Sequence, residues 1–369
     1  MTILTLLFYS FCIIVFVQLV YYTTFLVAFS SKKPKHKLST SIPISIIICS
    51  KNESENLKEN IPYYLNQDYP EFELVLINDN SSDSTLETIE EFKNQHKNIK
   101  IVDVKPIEKY WGNKKYALTL GIKAASHEFL LFTDADCKPA SKHWIREMAS
   151  HFSKSKNLVL GYGSYLKTKG ILNKLIRYET FITAIQYLGF ANIGIPYMGV
   201  GRNLAYRKSL FLNHSGYMTH MHINSGDDDL FVNAVANETN TTISLDQKSF
   251  TISIPKQTFR EWTTQKRRHI STAKYYKAKH KLILSIFYLS NLFFWTLAII
   301  LLSFTFLWKI VLGILIIRIM FQLICMRTPS KIFDEKQLLA LAPFLEFFLI
   351  FFQLYLFIIN LISKPRYWK

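Results

Sequence analysis

Two long stretches without charge lie near opposite ends of the chain. No charged residue occurs from Ile3 to Phe29, and none occurs from Leu282 to Trp308. About 20 consecutive apolar residues suffice to cross the core of a bilayer. The pattern therefore predicts a transmembrane helix near each end. For the first stretch a cleaved signal peptide is the alternative, but the stretch is long, lacks a basic start and is followed by Lys32, Lys33, Lys35 and Lys37.

Two further apolar stretches follow the second span, and each carries a charge. Residues 310–326 contain Arg318, and residues 337–363 contain Glu346. A charge at membrane depth is costly unless it is paired or hydrated, so we expect Arg318 and Glu346 to face each other between the last helices. The alternative is that one of these segments lies in the membrane interface. Residues 282–369 are thus expected to form a membrane region with two or three transmembrane helices.

Basic residues near the predicted spans indicate the orientation. Lys274, Lys277, Lys279 and Lys281 precede the second span, as the lysine run from Lys32 follows the first. Cytoplasmic ends of spans are enriched in lysine and arginine. The protein is therefore predicted to lie in the cell membrane, with its middle region on the cytoplasmic side and its N-terminus outside. Lys364 and Arg366 favour an inside C-terminus, whereas three C-terminal spans would place it outside. Both alternatives stay open.

Short β-rich runs alternate with helical patterns in the first half of the middle region. Strands are predicted at 43–49, 72–77, 101–104 and 128–133, and helices at 54–67, 84–96 and 113–125, the first interrupted by Pro62. This alternation is typical of an α/β fold, with a mostly parallel sheet and helices on both faces. Later segments are less regular: a strand at 158–166, helices at 173–190 and 226–238, short β runs at 242–246 and 250–254, and an amphipathic basic segment at 256–281.

Acidic residues follow two of the predicted strands. Asp79 follows strand 72–77, and Asp134 and Asp136 follow strand 128–133. Such sheets bind ligands outside the carboxyl ends of their strands, so we expect these acids to share one crevice. Grouped carboxylate oxygens suit Mg²⁺ or Mn²⁺. The alternative for Asp134 and Asp136 alone is a solvated turn.

Other polar clusters are candidates for catalysis or binding. Asp227, Asp228 and Asp229 precede a predicted helix, and three adjacent negative charges favour a raised pKa and a general base. Stabilisation of the helix N-terminus would explain one or two of them. The basic run 265–269 is either a membrane anchor or a group that neutralises a leaving diphosphate.

The formal net charge of +17 does not indicate nucleic-acid binding. No nucleic-acid module is present, and much of the charge flanks the spans, where anionic lipid headgroups attract it. Cys12, Cys49, Cys137 and Cys325 lie far apart and show no metal-type spacing, so they are predicted to be reduced thiols.

Taken in order, several stretches between residues 43 and 269 resemble the family 2 glycosyltransferases with the GT-A nucleotide-sugar fold, which include membrane-bound polysaccharide synthases and lipid glycosyltransferases. The matching stretches are 50–53 (SKNE), 77–83 (INDNSSD), 114–118 (KKYAL), 133–136 (TDAD), 201–203 (GRN), 226–230 (GDDDL) and 265–268 (QKRR).

The resemblance implies a role for each matching residue. Glu53, Asp79 and Asp134 would contact the uridine of a UDP-sugar with Lys114 nearby, Asp136 would hold Mg²⁺ or Mn²⁺, and Asp228 would be the catalytic base. Asp227 stands where the family more often has glutamate. Gln265 and Arg268 match the motif that clamps diphosphate and acceptor, whose last residue is usually tryptophan and is here His269. The weakened aromatic platform argues against a processive synthase.

The resemblance therefore implies an inverting, metal-dependent glycosyltransferase that moves a sugar to a lipid or lipid-linked glycan. Its parts would be a transmembrane helix at 1–31, a cytoplasmic GT-A domain at 32–255, a basic interfacial segment at 256–281 that contacts membrane lipids, and the membrane region at 282–369. A processive exopolysaccharide synthase is the alternative within the enzyme class. A polybasic membrane adaptor without catalytic activity is the alternative outside it.

Overall fold

The computed structural model describes residues 3–30, 41–105, 114–223 and 225–363. The predicted basic residues Lys32, Lys33, Lys35, Lys37, Lys364 and Arg366 lie outside this part of the chain. The strands are β1 Ile44–Ser50, β2 Phe72–Asp79, β3 Ile99–Val104, β4 Phe129–Asp134, β5 Cys137–Pro139, β6 Leu158–Leu160, β7 Gly163–Tyr165, β8 Leu204–Arg207, β9 Thr241–Ile243 and β10 Thr251–Ser253. The helices are α1 Ile3–Ser30, α2 Ser54–Leu65, α3 Thr85–Gln95, α4 Lys114–Ala124, α5 Trp144–Ala149, α6 Ile171–Asn192, α7 Lys208–Asn213, α8 Asp229–Val235, α9 Phe259–Ile270, α10 Ala278–Ser303, α11 Trp308–Ile332 and α12 Ala342–Ile362.

A seven-stranded sheet in the order β3-β2-β1-β4-β8-β6-β9 forms the centre of the middle region. Strands β1 to β4 are mutually parallel, whereas β8 runs antiparallel to both β4 and β6. The carboxyl ends of β1, β2 and β4 therefore meet at one edge, where polar loop residues gather. The predicted mostly parallel sheet is confirmed.

Alternate residues of the central strands face two separate cores. Ile46 and Ile48 of β1 pack with α2, α3 and α5 on one face. Ile47 and Val75 pack with α4 and α6 on the other, and this second core continues without a break into the membrane helices. At Gly189 of α6, a Cβ atom would stand 3.3 Å from the rings of Phe25 and Phe29 of α1. Helix α6 therefore joins the sheet to the membrane part.

The predicted strand 158–166 is wrong as a single element. Residues 158–160 form β6 of the large sheet, while 163–165 form β7 of a separate three-stranded sheet with β10 and β5. The chain changes sheets at Gly161, where a Cβ would lie 2.5 Å from the Asn203 side chain. A period-two pattern in the sequence does not record which sheet each half joins.

Two predicted helices differ from the structure. Pro62 does not interrupt α2, which runs through it and ends at Leu65. Its apolar face, with Leu57 and Ile61 fully buried, keeps the helix in place although proline lacks a donor. The helix predicted at 226–238 is shorter: α8 covers Asp229–Val235, so Asp227 and Asp228 precede it.

Among the residues that the structure describes, four helices are long and apolar enough to cross a membrane: α1, α10, α11 and the segment Lys336–Ile362, which contains α12. The predicted pairing of Arg318 with Glu346 is confirmed, with 2.9 Å between Nη1 and Oε1. The same guanidinium donates to polar side chains of α1, α10 and α11, namely Gln18, Tyr22, Asn291 and Gln322. These six residues, the intramembrane polar cluster, connect all four helices.

Helix α9 lies between the part of the chain that carries the sheets and α12. A capping box of Thr258 and Glu261 fixes its start. Trp262 is fully buried and stacks on Phe352 of α12 with ring centroids 4.5 Å apart. Near its other end, Arg267 donates to the side chain of Asn360, also on α12. The predicted basic amphipathic segment thus contains a helix packed on a membrane helix.

Candidate active site

The strand-end acids meet at the edge formed by β1, β2 and β4. Asp134 ends β4 and pairs in register with Cys49 of β1, and Glu53 follows β1 at the start of α2. Asp79 ends β2 and is buried. Burial raises the pKa of Asp79, while Lys51 and Lys114 counteract that rise. Glu53, Lys51 and Lys114 line one large cavity, whereas Asp79 lies outside its lining, within electrostatic reach of both lysines.

Lys114 joins the strand-end acids to the later acidic run. Its Nζ lies 2.7 Å from Asp134 and 3.2 Å from Asp227. Burial opposes its charge, yet Asp134 and Asp227 raise the pKa of Lys114 well above its ordinary value. The reciprocal effect of Lys114 overcomes burial and lowers the pKa of Asp227. Asp227 therefore stays ionised.

The oxygens of Asp134 and Asp136 and the sulfur of Cys137 lie within 4.8 Å of one another. Cys137 is completely buried, and burial followed by the charge of Asp136 raises the pKa of its thiol well above the ordinary value. A protonated thiol is a poor ligand. The remaining donor set of two carboxylates beside an open cavity fits Mg²⁺ or Mn²⁺, which complete their coordination with water and phosphate oxygens.

Asp228 has the environment of a general base. It caps α8: its Oδ2 accepts the Gly201 N–H at 2.6 Å, and its Oδ1 accepts the Asp229 N–H at 2.7 Å. Burial, and then the charges of Asp227 and Asp229, raise the pKa of Asp228 to about 7, although the Gly201 hydrogen bond lowers it. A carboxyl group with a pKa near neutrality can accept a proton and release it again.

Gln265, Arg268 and His269 of α9 line the same cavity as Asp136 and Asp228. The His269 imidazole is exposed and lines this cavity beside Arg268. The structure thus brings the predicted site residues Glu53, Lys114, Asp134, Asp136, Asp227, Asp228, Gln265 and Arg268 to one cavity.

Two basic residues of the site received no role from the sequence. Arg202 is held with its guanidinium 4.3 Å from the ring centre of Tyr165, and its charge acts on Asp136. Lys115 is buried and donates to three backbone carbonyls just before the acidic run, those of His220, Ile223 and Ser225. Arg202 belongs to the quoted GRN stretch, which was the available signal. For Lys115 the sequence offered no signal except its position next to Lys114 in the quoted KKYAL stretch.

Asp229 connects the acidic run to the segment after α9. Its Oδ2 accepts hydrogen bonds from the hydroxyls of Thr272 and Tyr276, the latter at 2.7 Å. One helical turn later, Asn233 accepts the Lys277 N–H at 2.9 Å. Helix α8, which Asp228 caps, therefore holds the chain that runs from α9 into the membrane.

We expect Tyr276→Phe to weaken binding of UDP with Mn²⁺ several-fold, because loss of this hydrogen bond, worth about 1 kcal/mol, frees the segment that positions α9. Calorimetry on the purified protein measures it. Tyr275→Phe is the matched control, because Tyr275 directly precedes Tyr276 in the segment after α9 and its side chain is about half exposed. Equal affinities in the two variants would contradict a positioning role for Tyr276.

The cavity has a volume of about 1900 Å³ and extends from the acids into the membrane part. Around the acids its walls are charged. Further on it is lined by Phe287 and Tyr288 of α10 and by Leu349, Phe352 and Leu356 of α12. This space is called the central cavity below.

Comparison with known proteins agrees with this geometry. Residues 45–213 match the model of glycosyl transferase family 2. Poly-β-1,6-N-acetyl-D-glucosamine synthase of Staphylococcus epidermidis is 42% identical over 93 residues, which are 25% of this chain and 21% of that protein. Poly(ribitol-phosphate) β-N-acetylglucosaminyltransferase TarS of Staphylococcus aureus is 26% identical over 189 residues, 51% of this chain and 31% of that protein. The chain thus spans about a fifth to a third of the length of these relatives.

Among solved structures, the mannosyltransferase PcManGT of Pyrobaculum calidifontis, in complex with GDP-Man and Mn²⁺, superposes with a TM-score of 0.61. The match covers 94% of this chain and 99% of that one at 16% identity, so it concerns the fold alone. Residues 45–213 thus match the family 2 glycosyltransferases, the fold is similar to that of GT-A glycosyltransferases, and the described part of the chain includes four helices long enough to span a membrane.

Proposed function

We propose that the protein is an inverting glycosyltransferase that moves a sugar from a UDP-sugar to a hydroxyl group of a membrane lipid or lipid-linked glycan. The observation that carries this proposal is the central cavity, which has the acidic cluster at one end and apolar walls of α10 and α12 at the other. A soluble acceptor would need no such apolar extension. A lipid acceptor would need both parts.

In this mechanism the acceptor oxygen attacks the anomeric carbon of the donor while its proton passes to Asp228. The new carbon–oxygen bond forms as the bond to the diphosphate breaks, and the leaving UDP takes the electron pair. Attack from the opposite side inverts the configuration. Asp227 stays paired with Lys114 and, by its charge, contributes to the raised pKa of Asp228.

The other proposed roles concern the donor. Glu53, Asp79 and Asp134 would bind the nucleoside, with Lys114 orienting Asp134, and Gln265 and Arg268 would bind the diphosphate. Asp136, with Asp134 beside it, would hold Mg²⁺ or Mn²⁺. When bound, such a cation supplies positive charge against the leaving diphosphate. The basic residues around 274–281 support placing this site on the cytoplasmic side of the cell membrane.

Membranes incubated with a radiolabelled UDP-sugar test the proposal. The expected product is extractable into organic solvent and of discrete size. A long water-soluble polymer would instead identify a processive synthase. Absence of any Mn²⁺-dependent UDP binding in calorimetry would favour the adaptor without catalytic activity and overturn the enzymatic proposal.

Asp136→Asn is expected to weaken Mn²⁺-dependent binding of UDP by more than about tenfold, because the cation is held by only one or two carboxylates. Calorimetry with UDP in the presence and absence of Mn²⁺ measures this. Asp68→Asn provides the control, since Asp68 pairs with Arg146 on the exposed surface. If Asp136→Asn and Asp68→Asn bind alike, the assignment of Asp136 to the metal is wrong.

A further inference from the structure

A polar stripe on α6 lines the central cavity between the acids and the apolar walls. Glu179, Thr183 and Gln186 are spaced i, i+4 and i+7, so they share one face of the helix. All three line the cavity and are partly exposed to it, whereas most other residues of α6 are buried. Partly burying polar side chains on this face costs free energy unless they form hydrogen bonds, so their presence here indicates a polar ligand.

Charge is balanced along this stripe. Across the cavity, Lys266 of α9 lies 2.5 Å from Glu179, and each of these side chains is only 12% exposed. The Thr183 hydroxyl donates to the other oxygen of Glu179 at 3.3 Å. The pair of opposite charges leaves the stripe without net charge.

Gln186 contributes hydrogen-bonding capacity that the protein leaves unused. Within the described part of the chain its amide makes no hydrogen bond, although it faces the cavity. An amide both donates and accepts, as a hydroxyl group does. Gln186 is therefore matched to a hydroxylated ligand.

The stripe ends near the candidate base. Tyr187, the next residue after Gln186, is buried and donates to the Gly161 carbonyl at 2.6 Å. Burial raises the pKa of this phenol, and Asp228 is close enough for its charge to add to the rise. A headgroup lying along α6 would thus reach the catalytic end of the cavity.

We infer that the α6 polar stripe binds the hydroxyl groups of a neutral sugar or polyol headgroup carried by the acceptor lipid. This inference rests on the proposed function and specifies its acceptor. The lipid chain occupies the space lined by α10 and α12, and hydroxyl groups of the headgroup bond to Glu179 and Gln186. One hydroxyl loses its proton to Asp228 as its oxygen replaces UDP on the anomeric carbon. A phosphate headgroup would find no unpaired cation on the stripe, because Lys266 is already paired with Glu179.

Two acceptors of equal chain length separate these headgroups. The purified full-length protein in detergent receives a radiolabelled UDP-sugar and either hexadecyl β-D-glucoside or hexadecyl phosphate. We expect transfer to the glucoside with kcat/KM at least about tenfold higher than to the phosphate. In Gln186→Leu, we expect KM for the glucoside to rise about tenfold, because the headgroup loses hydrogen bonds. UDP binding and slow hydrolysis of the donor should be unchanged in that variant.

The control is Ile182→Leu, which keeps the volume of an apolar residue on the same face of α6 and should leave KM unchanged. Three outcomes would each overturn the inference and leave the proposed function standing. These are a preference for the phosphate, transfer to neither acceptor while the donor is still hydrolysed, and an unaltered KM in Gln186→Leu. Absence of both donor hydrolysis and UDP binding in the unaltered protein would overturn both.

Discussion

Asp228→Asn is expected to lower the rate of sugar transfer by about 10²–10⁴-fold, the range that a positioned general base contributes. The asparagine keeps the shape of the side chain, and its oxygen can still accept the Gly201 N–H. It cannot take the acceptor proton. Because Lys114 keeps its ion pairs with Asp134 and Asp227 in this variant, binding of UDP should change little.

The pH profile gives an independent check on the same residue. Asp228 must be ionised to act as a base, and its pKa is raised to about 7. Transfer in the unaltered protein should therefore decline as the pH falls through about 7, since protonation removes the base. Asp228→Asn should lack this decline in its residual activity. Full activity in the variant, or an unchanged acidic limb, would show that another group accepts the proton.

Arg318→Leu is expected to destabilise the membrane part by about 3–5 kcal/mol, the usual cost of leaving one buried partner without its counter-charge. Arg318 is fully buried and faces Glu346, and its guanidinium donates to residues on three helices. Its loss would leave the buried Glu346 carboxylate without its counter-charge. Thermal unfolding of the detergent-purified protein should show a clearly lower Tm.

The double variant Arg318→Leu/Glu346→Leu is the matched comparison. Removing both charges should recover part of the lost stability, since no uncompensated charge remains. Recovery should be partial because three buried side chains would still lack the hydrogen bonds that the Arg318 guanidinium donates to them, those of Gln18, Gln322 and Asn291. If Arg318→Leu unfolds at the same Tm as the unaltered protein, the ion pair contributes nothing to stability.

The first half of the sheet could be predicted because its signals are local. Strands β1 to β4 are continuous apolar runs separated by helical patterns, and their predicted bounds lie within about two residues of the structure. Strand β8 was not predicted. It has four residues, Leu204–Arg207, and exists because it fits between β4 and β6, which are distant in sequence. Short strands with non-local partners carry little pattern of their own.

The grouping of the acids could also be predicted, but not the pairs between them. Parallel strand ends must meet at one edge, so Asp134 was expected near the site. That Lys114 would bridge Asp134 and Asp227, or that Asp229 would bind Tyr276, depends on how α8 and α9 pack on the sheet. The continuation of the cavity between α10 and α12 is likewise a property of helix packing, to which no motif corresponds.

The unbroken core that runs from the sheet through α6 to α1 has a practical consequence. Cutting the chain at its predicted cytoplasmic boundary would uncover Phe190, which packs against Tyr21 and Phe25 of α1, and would leave Asn192 without its acceptor at Ala28. Helix α1 is thus part of the core that supports α6 and the sheet, and it cannot be removed without exposing that core. Chimaeras that exchange membrane segments between such enzymes would have to carry the facing surface of α6 with them.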